Sequence, residues 1–108
     1  MEIAVKITEA EWKLFRKRLA EWQEHYMEGL VREYIDLLNS PGRASTHFWE
    51  LEKRIRKDIN HPGVIMEMRR STAIWNIAKL VSTKVITLED LDGFSPELID
   101  AVKKIARV

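Results

Sequence analysis

The amino-acid sequence predicts an all-α protein: a compact bundle of four main helices with one long N-terminal helix, preceded by a short strand or arm. Three observations carry this. Apolar residues recur at steps of three or four along most of the chain. Capping residues and Pro/Gly stops divide it at intervals of helix length. Only residues 2–7 and 84–87 carry a strand pattern.

In residues 2–7, Ile3, Val5 and Ile7 alternate with Glu2, Ala4 and Lys6, the period of a half-buried strand. Its partner is either "KVIT" (84–87) or the same segment of a second subunit, and a plain extended arm is the alternative. Thr8 followed by Glu11 is a capping-box pair that opens the first helix, which reaches to about Leu38. Trp12, Phe15, Leu19, Trp22, Tyr26, Leu30, Tyr34 and Leu37 form one apolar stripe on it. Met27, Val31, Ile35 and Leu38 form a second, about 100° round. The C-terminal half should therefore be covered on two sides and the N-terminal half should be wetter.

"NSPGRAST" breaks the pattern, and Ser45 or Thr46 caps a second helix running to about Asn60, with the narrow stripe Phe48, Leu51, Ile55 and Ile59. "NHPG" at 60–63 stops it. A third helix is expected over Val64–Ser82, apolar nearly all round, with Met66, Ala73, Ile74, Ile77, Leu80 and Val81 on one arc and Val64, Met68 and Trp75 on another. Such a helix belongs at the centre of the bundle. Thr87 caps the single turn "LEDL", and Ser95 caps a last helix with Pro96 at its first position and Leu98, Val102 and Ile105 inward.

At 108 residues the chain reads as one helical domain, 1–108, and its 18 basic and 17 acidic residues leave no strong field for recruiting polyanions. With no cysteine, disulfides, thiolate catalysis and Cys-ligated zinc are excluded, and a reducing cytoplasm is the expected compartment. The N-terminus lacks a secretory pattern, and no run of apolar residues is long enough to span a bilayer.

Charge and spacing exclude most chemistry. "LDGFSPEL" has the outline of a phosphate-holding helical hairpin, but Pro96 lacks an N–H, Ser95 caps the helix, and Asp92, Glu97 and Asp100 repel an anion. His25 with Glu28 and His47 with Glu50 have an i,i+3 spacing found in helical metal sites, yet His25 and Glu28 lie nearly opposite the apolar stripe, so no metal or other cofactor is expected. No serine has a histidine placed as its base, and no Gly-rich nucleotide loop occurs, so no catalytic residue is nominated and the chain is expected not to be an enzyme. Arg70 falls within the apolar arc of the third helix, where it either runs outward along its stem or pairs with a carboxylate such as Glu33; an anion site there is the remaining alternative.

"FWELEKRIRKD", "HPGVIMEM" and "LDGFSPEL" resemble segments of a group of small, uncharacterised all-helical bacterial proteins. The resemblance implies a single helical fold and no activity or site residue.

What the residues do suggest is surplus aromatic surface, hence a protein-interaction or regulatory module. The candidate contact residues are Trp12, Phe15, Leu19, Trp49, Met68 and Trp75, since Trp49 points away from its helix's stripe unless it folds back over the first helix. A homodimer is expected in which Trp12, Phe15 and Leu19 meet a second copy and residues 3–7 pair across the same two-fold axis. The alternative is weak nucleic-acid binding through Lys53, Arg56, Lys57 and Arg69, against which stand the i,i+4 pairs Glu50–Arg54 and Glu52–Arg56.

Overall fold

A computed structural model describes residues 5–108 of the chain. Four α-helices follow one another: α1 (Glu9–Asn39), α2 (Ala44–Asp58), α3 (Ala73–Ser82) and α4 (Pro96–Ala106). Single 3-10 turns at Arg70–Thr72 and Leu88–Leu91 lie between α2 and α3 and between α3 and α4. Among the described residues there is no strand: Val5–Ile7 and Lys84–Thr87 are irregular, and residues 1–4 of the expected N-terminal strand lie outside the described part.

The capping box at Thr8 forms as its residue types require. The Thr8 hydroxyl accepts from the Glu11 N–H at 3.1 Å, and Glu11 Oε1 accepts from the Thr8 N–H at 3.1 Å. The second carboxylate oxygen of Glu11 does something the local pattern does not announce. It accepts from the N–H of Ser95 at 2.9 Å, 84 residues along the chain, and so joins the start of α1 to the start of α4. Ser95 in turn caps α4 by accepting from the Leu98 N–H at 3.2 Å.

Above this joint the core assembles from Phe15 and Leu19 of α1, six residues of α3, Val85, Ile86, Leu91 and Phe94 of the connections, and Leu98, Ala101 and Val102 of α4. Phe15, Ile77, Leu80, Leu91, Leu98 and Val102 are wholly enclosed. Arg18 closes the corner between the second 3-10 turn and α4. Its guanidinium donates to the carbonyls of Asp90 (3.2 Å) and Asp92 and lies 5.5 Å over the Phe94 ring. Gly93 turns there at φ +98°, a left-handed conformation that suits glycine, and a Cβ would stand 2.9 Å from Arg18.

Three expectations are corrected. First, the molecule is extended rather than a compact bundle: its extents are 54 × 25 × 23 Å and its radius of gyration is 16.8 Å, against about 13 Å for a compact chain of ~100 residues. The cause is a mismatch of lengths. The 31 residues of α1 reach about 46 Å at 1.5 Å per residue, while α3 and α4, with 10 and 11 residues, reach only about a third of that. They cover the N-terminal half of α1, so that this half is the buried one. The C-terminal half, expected to be covered on two sides, leaves Val31, Ile35 and Leu38 about half exposed. Together with α2 it makes an arm that projects from a globular head.

Second, the third helix begins at Ala73, not Val64. From 64 to 69 exposure alternates: Val64, Met66 and Met68 are half-buried while Ile65, Glu67 and Arg69 face water. That is the period of an extended segment laid along a surface, and it satisfies the same apolar residues that a helical reading would place on two arcs. Third, α2 starts at Ala44 with Arg43 at its cap, and neither Ser45 nor Thr46 caps it.

The turn at 60–63 attaches the arm to the head by close approach. The His61 ring stacks on Tyr26 at 4.5 Å between centroids and 4° between planes, Gln23 donates to the Pro62 carbonyl at 3.0 Å, and Gly63 lies against the Tyr26 ring. A Cβ on Gly63 would come within 2.2 Å of Tyr26 Cδ2, so this position admits no side chain without moving the ring.

Burial raises the proton affinity of the Glu11 carboxyl, and the hydrogen bonds from Ser95 and Thr8 outweigh it, so its pKa falls below the usual value. A folded-state pKa lowered in this way contributes stability above the unfolded-state pKa of about 4.3, and that contribution is lost as pH falls through the folded value. Glu11→Gln, which can accept with one oxygen only and leaves a backbone N–H unpaired, should lose about 1–3 kcal/mol at pH 7. Urea titrations should show this loss shrinking towards pH 3. Phe15→Ala should cost about 3–5 kcal/mol by the same measurement, because Phe15 is enclosed on every side.

Candidate functional site

The arm is held together by a polar seam. Tyr34 of α1 donates to Asp58 Oδ2 of α2 at 2.6 Å; Arg54 bonds Glu33 at 3.1 Å, lies 3.7 Å from Asp58, and sits 5.6 Å over the Tyr34 ring. At the far end Ser40 Oγ meets His47 Nε2 at 3.3 Å, a serine–histidine contact not expected from the sequence, and the hydroxyl donates its proton to the Leu37 carbonyl at 2.6 Å rather than to the imidazole. Leu30 is buried, and Leu37 and Leu51 are half-buried. Burial, with the hydrogen bond to Asp58 and its charge, pushes the Tyr34 phenol up to about 12.

A polar seam leaves the arm's apolar residues unused. Val31, Ile35 and Leu38 on α1 are 51%, 50% and 48% exposed, and Phe48, Ile55 and Ile59 on α2 are 64%, 44% and 52% exposed. Helical geometry places both sets on one side. Counted at about 100° per residue, Val31, Ile35 and Leu38 lie roughly 40–100° ahead of the seam residue Tyr34, and Phe48, Ile55 and Ile59 roughly 60–100° ahead of its partner Asp58. The two helices are joined by a short turn and run in opposite directions, so the same sense of rotation carries both sets to the same side of the seam. The result is one apolar face across two helices. Trp49 flanks it on α2, 64% exposed and in edge-to-face contact with Phe48 at 5.0 Å.

Each of these six side chains is worth about 1.5–3 kcal/mol when fully buried, and about half of each stays in water, so on the order of 5 kcal/mol of apolar transfer free energy is unrealised in the single chain. Single exposed apolar residues are ordinary, and a contiguous set of this size is uncommon on a small domain.

The residues expected to make contacts divide differently. Phe15 and Leu19 lie in the head's core, and Trp12 is half-buried against it with its ring 6.2 Å from that of Phe15. They are spent within the chain, so the expected pairing of a second copy on Trp12, Phe15 and Leu19 is replaced by their burial under α3 and α4. Met68 also packs on the core. Trp49 remains exposed and does not fold back over α1, and Trp75, 45% exposed, stands on α3 of the head beside a groove with Val5, Ile7, Arg70 and Ile74. Of the basic set, Arg56 pairs with Glu52 and Arg69 with Glu67 at 2.6 Å, while Lys53 and Lys57 are exposed. Arg70 pairs with Glu9 and donates to the Ile7 carbonyl at 3.4 Å; its expected partner, Glu33, is bound by Arg54 instead.

The turn before α4 is occupied as well. The Ser95 N–H is held by Glu11, the Leu98 N–H by the Ser95 hydroxyl, and residue 96 is proline, so two of the donors at this helix start are taken and a third is absent. His25 lies 4.0 Å from Glu28, both exposed, and among the described residues no three metal-ligating side chains come together. No described helix is long and apolar enough to cross a membrane.

No family model, curated protein or solved structure matches this chain.

The apolar face was only half visible in the sequence. Met27, Val31, Ile35 and Leu38 stand out by periodicity, but whether a second stripe is covered depends on how far the other helices reach. The seam can be tested by alkaline absorbance titration. One tyrosine should ionise near pH 12 and disappear from the curve in Tyr34→Phe. Because the folded-state value is raised, stability should fall as pH rises from about 10, the unfolded value, through 12.

Proposed function

We propose that this protein is a non-catalytic interaction module whose α1–α2 arm presents an apolar face to another protein. One observation carries the reading: six large apolar side chains of the α1–α2 arm stay about half exposed on one side of it, while the head encloses a core of its own. A polar seam that fixes the two helices without covering this face suits a preformed surface better than it suits a folding core. The rival nucleic-acid reading loses support from the pairing of Arg56 and Arg69 with carboxylates. A bacterial cytoplasm is the proposed setting, on the absence of cysteine and the resemblance described above.

Photo-crosslinking in the protein's own cells tests this. A photoreactive residue at Ile35 or Phe48 should give discrete protein adducts, and the same group at Lys17, exposed on the head's part of α1, should not. Absence of adducts from the arm, or equal labelling from Lys17, would refute it.

A further inference from the structure

We propose that the arm's partner is a second copy of this chain, two arms packing face to face as a four-helix bundle with α1 of one copy over α2 of the other. This rests on the interaction reading and gives its occupant. The arm is half of such a bundle already: two antiparallel helices, one apolar face, and a spacing of seven between Val31 and Leu38 and between Phe48 and Ile55. A second arm matches that face in length and apolar character, and a two-fold axis lets each copy supply what the other lacks. The head does not obstruct it, because α3 and α4 cover the part of α1 that faces away from this side: Phe15 and Trp22, which pack on or in the core, lie about 140–180° round α1 from Val31.

Charge selects the arrangement. Residues 21–39 of α1 carry five acidic side chains and one basic, whereas 43–58 carry five basic and three acidic. Placing α1 over α1 would stack the acidic helices on each other; placing α1 over α2 opposes unlike charge. On the edges of the face, exposed Glu28 of α1 and exposed Arg56 of α2 lie at neighbouring levels of the arm, so in the favoured arrangement Glu28 of each copy approaches Arg56 of the other. The Arg56 side chain stays 74% exposed beside its own Glu52 and can meet both carboxylates.

Sedimentation equilibrium from sub-micromolar to near-millimolar chain decides the matter. The wild type should be a reversible dimer, and Ile35→Glu should weaken it about 100-fold or more, since the buried charge enters the interface twice. Circular dichroism checks that the variant keeps its helices; if it does not, Phe48→Glu on the other helix takes its place. At low salt Glu28→Lys and Arg56→Glu should each weaken the dimer about 5-fold, and the double variant should recover it. A wild type that is monomeric throughout, or a dimer indifferent to both apolar variants, overturns the proposal. A double variant weaker than either single one overturns the α1-over-α2 arrangement. If the chain is monomeric while Ile35 and Phe48 still crosslink to a different protein, self-pairing fails and the interaction reading stands.

Discussion

The buried carboxylate of Glu11 holds the two ends of the chain's path together. One oxygen completes the cap of α1, and the other accepts the N–H of Ser95 at the start of α4. Two helix N-termini, each with unpaired N–H groups and a partial positive charge, converge on one negative group, which both satisfies the donors and favours the ionised state. Burying a lone carboxylate would be costly, and here the cost is offset by the backbone donors brought to it. Because α4 starts at this joint, its inner face joins Phe15, Leu19 and the buried side of α3 in one core. Arg18 secures the same corner from outside by donating to the carbonyls of Asp90 and Asp92 while its guanidinium lies over the Phe94 ring.

That arrangement uses up the short helices on the first half of α1. The second half is left to α2, which meets it through hydroxyl, carboxylate and guanidinium groups more than through apolar contact. The chain is thus divided by chemistry into a head that encloses a core, with Ile65 and Trp75 left at its surface, and an arm whose apolar residues stay largely exposed. The division explains why the molecule is long. It also explains why the aromatic residues on the first turns of α1 are drawn into or against the core, while Val31, Ile35, Leu38, Phe48, Ile55 and Ile59 of the arm stay exposed.

Much of the fold was legible in the residues: the Thr8–Glu11 box, Pro96 and Ser95 at the start of α4, and the stops at 40–43 and 60–63 are local signals with local causes. Helix type followed from periodicity where the run was long. At 64–69 it did not, since Val64, Met66 and Met68 fit an alternating pattern as well as a helical one and only docking on the core separates the two. The site was harder. A stripe in sequence shows that residues share a face, not whether another element is long enough to reach it, and the covering of Phe15 against the exposure of Ile35 is decided by the lengths of α3 and α4. Glu11's second bond, to Ser95, spans most of the chain and has no sequence signal beyond an acidic residue at a cap.

Native-state hydrogen exchange, followed residue by residue at low and at high protein concentration, tests the division between head and arm most directly. Amides of α3, α4 and the Phe15–Leu19 turn should open only with global unfolding and exchange at the same rate at both concentrations, while amides of residues 31–38 and 48–58 should exchange through a lower-energy opening that slows as concentration rises. Arm amides as protected as those of the head at the lowest concentration, or unchanged by raising it, would contradict the account.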